Sequence, residues 1–425
     1  MEMDTRSINH PKPFANETLS SWFRRLAATN GLTARELYRA LMPGSQLFTY
    51  DLDRYACSSL IQSLAEIAKV PEEYIQSLML QHWDGIISSD SSNLCKLVWR
   101  PPAGRDGSIR SFGQQICIEC LREDVIPYYR STWRLSFQTV CIGHQKLLLD
   151  RCPNCSEPIH ILRSDLILQA HTHCWNCLAA FDSSADTIVP DTSSQARLNS
   201  VLRNGWGKAG SYGYVHSVIY FDVVNLVFRL LVSGRCASRL RQRLSSILDL
   251  PELAGTSIPR LKEAERLNTR CRHQVLNAVG RLLDSWPKDF VAACQGENVT
   301  AKDLVKGNRN YPFPYIDAVQ TSLTKGLGTV SEDELMAAIS YLTRAEVAPT
   351  RRNLERTLGK KFSAGAHLIA PGRKCEPYGT SRYWKLDGVN PETRTAAKQA
   401  AKDAGENIGA WVDNTLRRAL TENAS

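Results

Sequence analysis

Cys117-Ile-Glu-Cys120, Cys141-Ile-Gly-His144, Cys152-Pro-Asn-Cys155 and Cys174-Trp-Asn-Cys177 repeat one pattern, two donors two residues apart, and their order decides how this chain folds. The intervals between them are 20, 7 and 18 residues. A Cys-x-x-Cys turn places two sulfurs at neighbouring corners of a tetrahedron about 2.3 Å from a metal, and a second pair closes the site. The eight donors form two quartets: Cys117, Cys120, Cys141 and His144, then Cys152, Cys155, Cys174 and Cys177. Soft and borderline ligands that leave no place for water suit structural zinc, two Zn(2+) ions per chain. A hydrolytic zinc keeps three protein ligands and a nearby general base, so the pattern speaks against an enzyme. Sequential pairing is the simplest. An interleaved pairing, or substitution of one ligand by His160, His171 or His173, stays open at this level. Either way the metals supply folding energy to a segment with few apolar residues.

The rest of the composition sets bounds. A chain of 425 residues with 43% hydrophobic and 22% charged residues is a folded, multidomain protein. Seven of its thirteen cysteines fall between Cys117 and Cys177, which favours metal ligation over disulfides. Met1 to Asn16 is polar and has no apolar core of a secretory signal. The most apolar stretch, Tyr214 to Val232, carries Asp222 and Arg229 and reads as a buried helix. A cytoplasmic protein with no membrane partner is expected. The net charge of +9 is concentrated: residues 195–310 hold 18 basic against 9 acidic side chains, and residues 344–374 hold 8 against 2. Such concentration suits either a polyanionic partner or a merely solvated basic surface.

The expected fold class is mainly α and multidomain. An N-terminal helical domain, helix-turn-helix-like, takes residues 1–100. Its first helix starts at Asn16, carries Leu19, Trp22, Phe23 and Leu26 on one face, and stops at Asn30-Gly31; Thr33 opens the next, through Leu41. A simple helical bundle fits the same pattern. A further helix pair is expected at about Ala56 to Lys69 and Pro71 to Gln81. Residues 105–185 form the twin zinc domain, and 195–325 a basic helical region broken at Gly205–Gly213, Pro251, Pro287 and Pro312/Pro314. Residues 330–375 read as a helix-turn-helix-like unit and 376–425 as strand, helix, helix.

Three features together resemble the TniQ/TnsD family of transposon target-selection proteins. They are Pro13 followed by Glu17-Thr-Leu-Ser-Ser-Trp22-Phe-Arg-Arg-Leu26 with Asn30-Gly31; Cys117-x-x-Cys120 followed by Trp133, Cys141-x-x-His144 and Leu148; and Cys152-Pro-x-Cys155 with its closing pair. Asn16 departs from the family pattern, where an acidic residue is common. The resemblance implies an adaptor that recognises a target, or sits on an RNA-guided CRISPR effector complex that does. Such an adaptor recruits an ATPase regulator and a transposase. Consistent with that division of labour, no G-x-x-x-x-G-K-[ST] phosphate loop is present. A zinc-containing transcriptional regulator is the remaining reading.

Beyond the zinc region, Thr350-Arg-Arg-Asn-Leu354-Glu-Arg-Thr-Leu358 resembles the second helix of a helix-turn-helix, which offers Arg351, Arg352 and Arg356 to double-stranded DNA. A solvated helix packed through Leu354 and Leu358 is the plainer alternative. The tail resembles a ribbon-helix-helix module, which implies a homodimer whose paired strands enter the major groove. Its strand, Arg382-Tyr-Trp-Lys-Leu-Asp387, turns Tyr383, Lys385 and Asp387 outward by alternation, with Arg382 beside them. The tail carries 7 basic and 7 acidic residues, so dimerisation alone is an equal use for it.

Overall fold

Helices form here wherever apolar residues recur at three- and four-residue spacing, and they account for most of the regular structure. The computed structural model describes residues 9–44, 51–89, 98–106, 109–182, 190–255, 258, 267–305, 310–323, 332–358 and 390–422. Two compact units divide the chain, Met1–Gly326 and Leu327–Ser425.

The first unit opens with α1 (Leu19–Thr29), α2 (Ala34–Leu41), α3 (Ser58–Ala68) and α4 (Glu72–Gln76). Asn16 does not cap α1. The cap is Thr18, whose side chain accepts from Ser21 N–H, while Asn16 sits at φ 61°. Residues 16–18 pair instead with a distant segment: Ser131 N–H donates to the Asn16 carbonyl at 2.6 Å, and Thr18 N–H to the Tyr129 carbonyl at 3.0 Å. No rule based on neighbours in sequence sees that pairing. The other local signals hold: Asn30 ends α1, Gly31 follows at φ 68°, and Thr33 with Glu36 forms a reciprocal capping box on α2. α4 stops at Gln76, short of the Gln81 expected, and Pro71 occupies its N-cap.

Between residues 103 and 182 regular structure is sparse. It consists of the antiparallel pairs β1 (Ala103–Asp106) with β2 (Ile109–Phe112) and β3 (Val140–Cys141) with β4 (Lys146–Leu147), and the short α5 (Ile118–Glu123). Then come α6 (Ser193–Asn204), β5 (Trp206–Lys208), β6 (Tyr214–His216), α7 (Ser217–Ser233), α8 (Ala237–Ile247), α9 (Pro251–Ala254), α10 (Thr269–Asp284), α11 (Lys288–Gly296), α12 (Ala301–Leu304) and α13 (Phe313–Leu323). The break read at Gly205–Gly213 is a hairpin, β5 against β6. Gly207 is required there, because a Cβ would meet the Tyr220 ring at 2.4 Å. α7 is a core helix that buries Tyr220, Phe221, Val224, Val227, Phe228 and Leu231. Among the described residues no single helix is long and apolar enough to cross a membrane.

This unit holds two apolar cores. One joins α1–α4 to the cysteine-rich segment through Ile116, Trp133, Leu148, Ile161 and Phe181. The other is built by α6–α13 and receives Leu80, Trp99, Leu135 and Phe137. The stretch 133–137 therefore feeds both, and Arg134 lies between them, fully buried. Its guanidinium forms ion pairs with Asp53 and with Asp51, the latter at 2.6 Å. Ser20 donates to Asp53 from N–H at 2.7 Å and from Oγ at 2.8 Å, and Ala103 N–H donates to Asp51 at 2.9 Å. Burial opposes ionisation of both carboxyls. Arg134 outweighs it at Asp51, whereas Asp53, facing Asp51 as well, is pushed up.

The second unit comprises α14 (Glu332–Arg344), α15 (Arg351–Leu358), α16 (Pro391–Asp403) and α17 (Ile408–Glu422). Leu335, Ala338, Ile339 and Leu342 of α14 pack on Leu354 of α15. Asn390 caps α16, and Gly405 at φ 70° turns the chain into α17. The strand expected at 382–387 lies outside the described residues.

Arg134→Met leaves two carboxylates facing each other in a dry site. Breaking a buried pair in this way costs about 3–5 kcal/mol. The urea midpoint of the full chain should fall accordingly; an unchanged midpoint would show that the network contributes nothing to stability.

Candidate metal centres

Each donor pair is made by a backbone turn. In the second, third and fourth pairs the residue after the last donor takes a left-handed conformation: Gln145 at φ 51°, Ser156 at φ 59° and Leu178 at φ 60°. Ser156 N–H then reaches back to the Cys152 carbonyl at 2.9 Å, and Leu178 N–H to that of Cys174 at 3.0 Å. Cys152 N–H bonds the Glu157 carbonyl at 2.8 Å, and Cys174 N–H that of Ala179 at 2.9 Å. The result is a closed knuckle with both sulfurs on one side. The first pair differs, since Cys117 caps α5 and Cys120 lies within its first turn.

The knuckles meet in sequential quartets. Cys117, Cys120, Cys141 and His144 form one, and Cys152, Cys155, Cys174 and Cys177 the other, with all donor atoms of each quartet within 4.8 Å of one another. Sulfur–sulfur separations are 3.6 Å for Cys120–Cys141, Cys152–Cys177 and Cys155–Cys174. Four sulfurs at tetrahedral corners 2.3 Å from a centre stand about 3.8 Å apart, whereas a disulfide needs about 2 Å. The spacing fits a shared cation. His144 turns Nδ1 inward, 3.5, 3.3 and 3.4 Å from Cys117, Cys120 and Cys141. Its Nε2 lies 3.0 Å from Glu123, which orients the ring from behind. Asn154 Nδ2 donates to the Cys177 sulfur at 3.4 Å, and Asn176 N–H to that of Cys174 at 3.4 Å.

The thiols of each quartet perturb one another strongly. The sulfurs of Cys117 and Cys141 push the Cys120 thiol up, and burial pushes that of Cys174 up to about 12. The donated bond from Asn154 draws Cys177 down to about 6. Thiols so crowded cannot all ionise beside one another unless a cation lies among them. The two quartets could thus hold two metal ions.

The three other histidines lie elsewhere. His171 is buried against Ser21 Oγ at 3.1 Å, and desolvation, then Arg24 and Arg25, holds it down at about 3. His160 packs on Gly104, where a Cβ would meet its ring at 2.0 Å, and burial lowers it to about 4. His173 Nδ1 lies 3.0 Å from Thr172 Oγ1.

α1 is tied directly to the metal-binding segment. Glu17 accepts from Arg25 at 2.9 and 2.6 Å and from Ser21 Oγ at 2.8 Å. Tyr129 N–H donates to Ser21 Oγ at 2.9 Å, and its hydroxyl to the His171 carbonyl at 3.0 Å. Sequence reasoning quoted Glu17, His171 and Asn154 within motifs but foresaw none of these contacts, nor the place of Glu123. A polar residue inside or beside a donor pair was the one available hint.

Of the candidate DNA contacts, Arg351, Arg352 and Arg356 all stand exposed on α15, with Leu354 inward and Arg351 paired to Glu355 at 3.0 Å. Leu354 and Leu358 pack as the plainer reading expects, and the exposure of the arginines is common to both readings. Arg382, Tyr383, Lys385 and Asp387 lie outside the described residues.

Comparison with known families matches residues 8–148 to the TniQ family model. The match runs from α1 through the first quartet. No curated protein matches the chain.

Cys152→Ser should lower the metal content of the purified chain from two ions to one and loosen residues 150–182. Elemental analysis and limited proteolysis check this; two ions retained would break the second quartet as a site.

Proposed function

From a chain that carries a TniQ domain over residues 8–148, we propose a transposon target-site selection adaptor that binds DNA at the attachment site and recruits an ATPase regulator and a transposase. The observation that carries this reading is the union of that domain with two closed four-donor quartets, so that α1 and the metal-binding segment form one scaffold. Both metals are zinc in this reading, since seven thiolates and one imidazole in tetrahedral spacing suit that ion best. Filled coordination shells leave no position for substrate. The role is addressing, not catalysis.

DNA contact falls to the basic stretch 344–374 and to the charge-balanced tail after it. Arg351, Arg352 and Arg356 project from one short helix whose other face is anchored, the arrangement of a recognition helix that meets base edges and phosphates. Arg382, Tyr383, Lys385 and Asp387 join them on the strength of the sequence pattern alone. Dimerisation is assigned to the tail, where Ile408, Leu416 and Leu420 of α17 are exposed. The reading places the protein in the cytoplasm.

A selection of random duplex DNA by the purified chain, repeated at rising salt, tests the proposal. One sequence family should survive salt that removes non-specific binding. Arg352→Ala with Arg356→Ala should flatten the salt slope by about 2 if both meet phosphates, or cost about 1–3 kcal/mol of discrimination for each base edge no longer read. Failure to select any sequence, with co-purification of a guide-RNA complex instead, would move recognition to base pairing by that complex.

A further inference from the structure

A cleft of about 300 Å³ opens along α1, between that helix and the chain around residues 126–127 and 167–172. Arg24 lines it and is fully buried. Its Nη1 donates to the Leu32 carbonyl at 3.2 Å, but Nε and Nη2 have no hydrogen-bond partner among the described residues. These are the two donors with which the next residue, Arg25, grips both oxygens of Glu17. Arg24 presents the same fork without an acceptor. Burial disfavours its charge, and Asp165 supports that charge only through its field. A buried guanidinium with open donors is costly. Both donors are closed off from solvent, so a carboxylate would satisfy them at once only as the cleft floor shifts to admit it.

The rim is apolar. Ile126 is 51% exposed, Ile167 40% and Leu168 74%, and the walls between them include Ala28 and Ala170. Large apolar side chains gathered at the mouth of a cleft mark a surface meant to be covered. A nucleic-acid backbone, hydrated and charged at every step, gains nothing from such a rim. A polypeptide gains from both parts, because its apolar side chains cover the rim while one carboxylate reaches the floor.

We propose that this cleft docks a segment of a partner protein, inserting an Asp, Glu or C-terminal carboxylate onto Arg24 with apolar neighbours against Ile126, Ile167 and Leu168. The site uses none of the candidate DNA-contact residues, and its chemistry stands whether or not the chain reads DNA itself.

The test pans a display library of short random peptides against the metal-loaded full chain, then measures the selected peptides by fluorescence anisotropy. Binders should share a carboxylate beside apolar residues. Replacing that carboxylate by its amide should weaken binding about tenfold or more, as expected for loss of a charge-assisted bidentate bond. Leu168→Asp, at an exposed position, should weaken it comparably without unfolding the chain. Arg24→Gln risks the fold, and the amide swap tests the same bond without it. The proposal is overturned if no peptide distinguishes wild type from Leu168→Asp, or if the amide peptides bind equally well. It is overturned too if a duplex oligonucleotide, and no peptide, is the ligand that Leu168→Asp weakens.

Discussion

Four sulfur and nitrogen donors drawn within 4.8 Å of one another, twice over, are the constraint on which the first unit rests. Thiols at that distance repel once ionised, and the regular structure of the surrounding segment is slight: one helix of six residues, two 3-10 turns and a two-stranded pair two residues long. A divalent ion reverses the sign of the interaction. It turns mutual repulsion into the strongest local contacts and fixes the knuckles whose outer surfaces build a core. Cys117, Cys152 and Cys174 are each buried in the same apolar cluster as Leu19, Trp22 and Leu26. With ions in the quartets, metal coordination and hydrophobic packing would be one cooperative event, because both build the surface that α1 packs on.

That coupling gives physical content to the stretch Glu17 to Leu26. Trp22, Phe23 and Leu26 face the core, as any amphipathic helix would arrange them. The polar residues between them carry the specificity. Glu17 holds Arg25, Ser20 reaches Asp53 and through it Arg134, and Ser21 meets Tyr129 and His171. Every one of these partners but Arg25 is distant in sequence, and each contact is buried. A substitution here strands a polar group away from water, so the helix tolerates few alternatives. Arg24 is the exception within the run, a buried cation whose fork no described residue fills.

Local chemistry was legible in the sequence because its causes are local. Thr33, Asn30 with Gly31, and the four donor pairs each act within a few residues, and each stands where its pattern placed it. What escaped notice depends on distant partners. Asn16 looks like a helix cap until its carbonyl is seen to accept from Ser131. The glycines from 205 to 213 look like a loop until β6 returns beside β5 and Tyr220 closes over Gly207. The choice between sequential and interleaved quartets was open for the same reason, since spacing specifies the knuckle and only the fold specifies which knuckles meet. Glu123 behind His144 is a further case: nothing marks one glutamate among many until the imidazole turns its second nitrogen toward it.

The placement of charge follows from what each part must tolerate. In the first core, Arg25, Arg130 and Arg134 are matched to Glu17, Asp124 and Asp51/Asp53, because a buried charge without a counterpart destabilises the fold. On α15 Arg352 and Arg356 stand in water, where an unneutralised charge costs little and attracts polyanions over a distance. A chain that used its arginines only for folding would place few of them on an exposed eight-residue helix that also keeps Leu354 buried. Under the proposed function, metal ions in the quartets would brace the first unit and the exposed arginines would attract DNA. Recruitment of a partner protein asks for a third kind of surface, apolar at its edge and charged at its base, and the cleft beside α1 combines the two through Leu168 and Arg24.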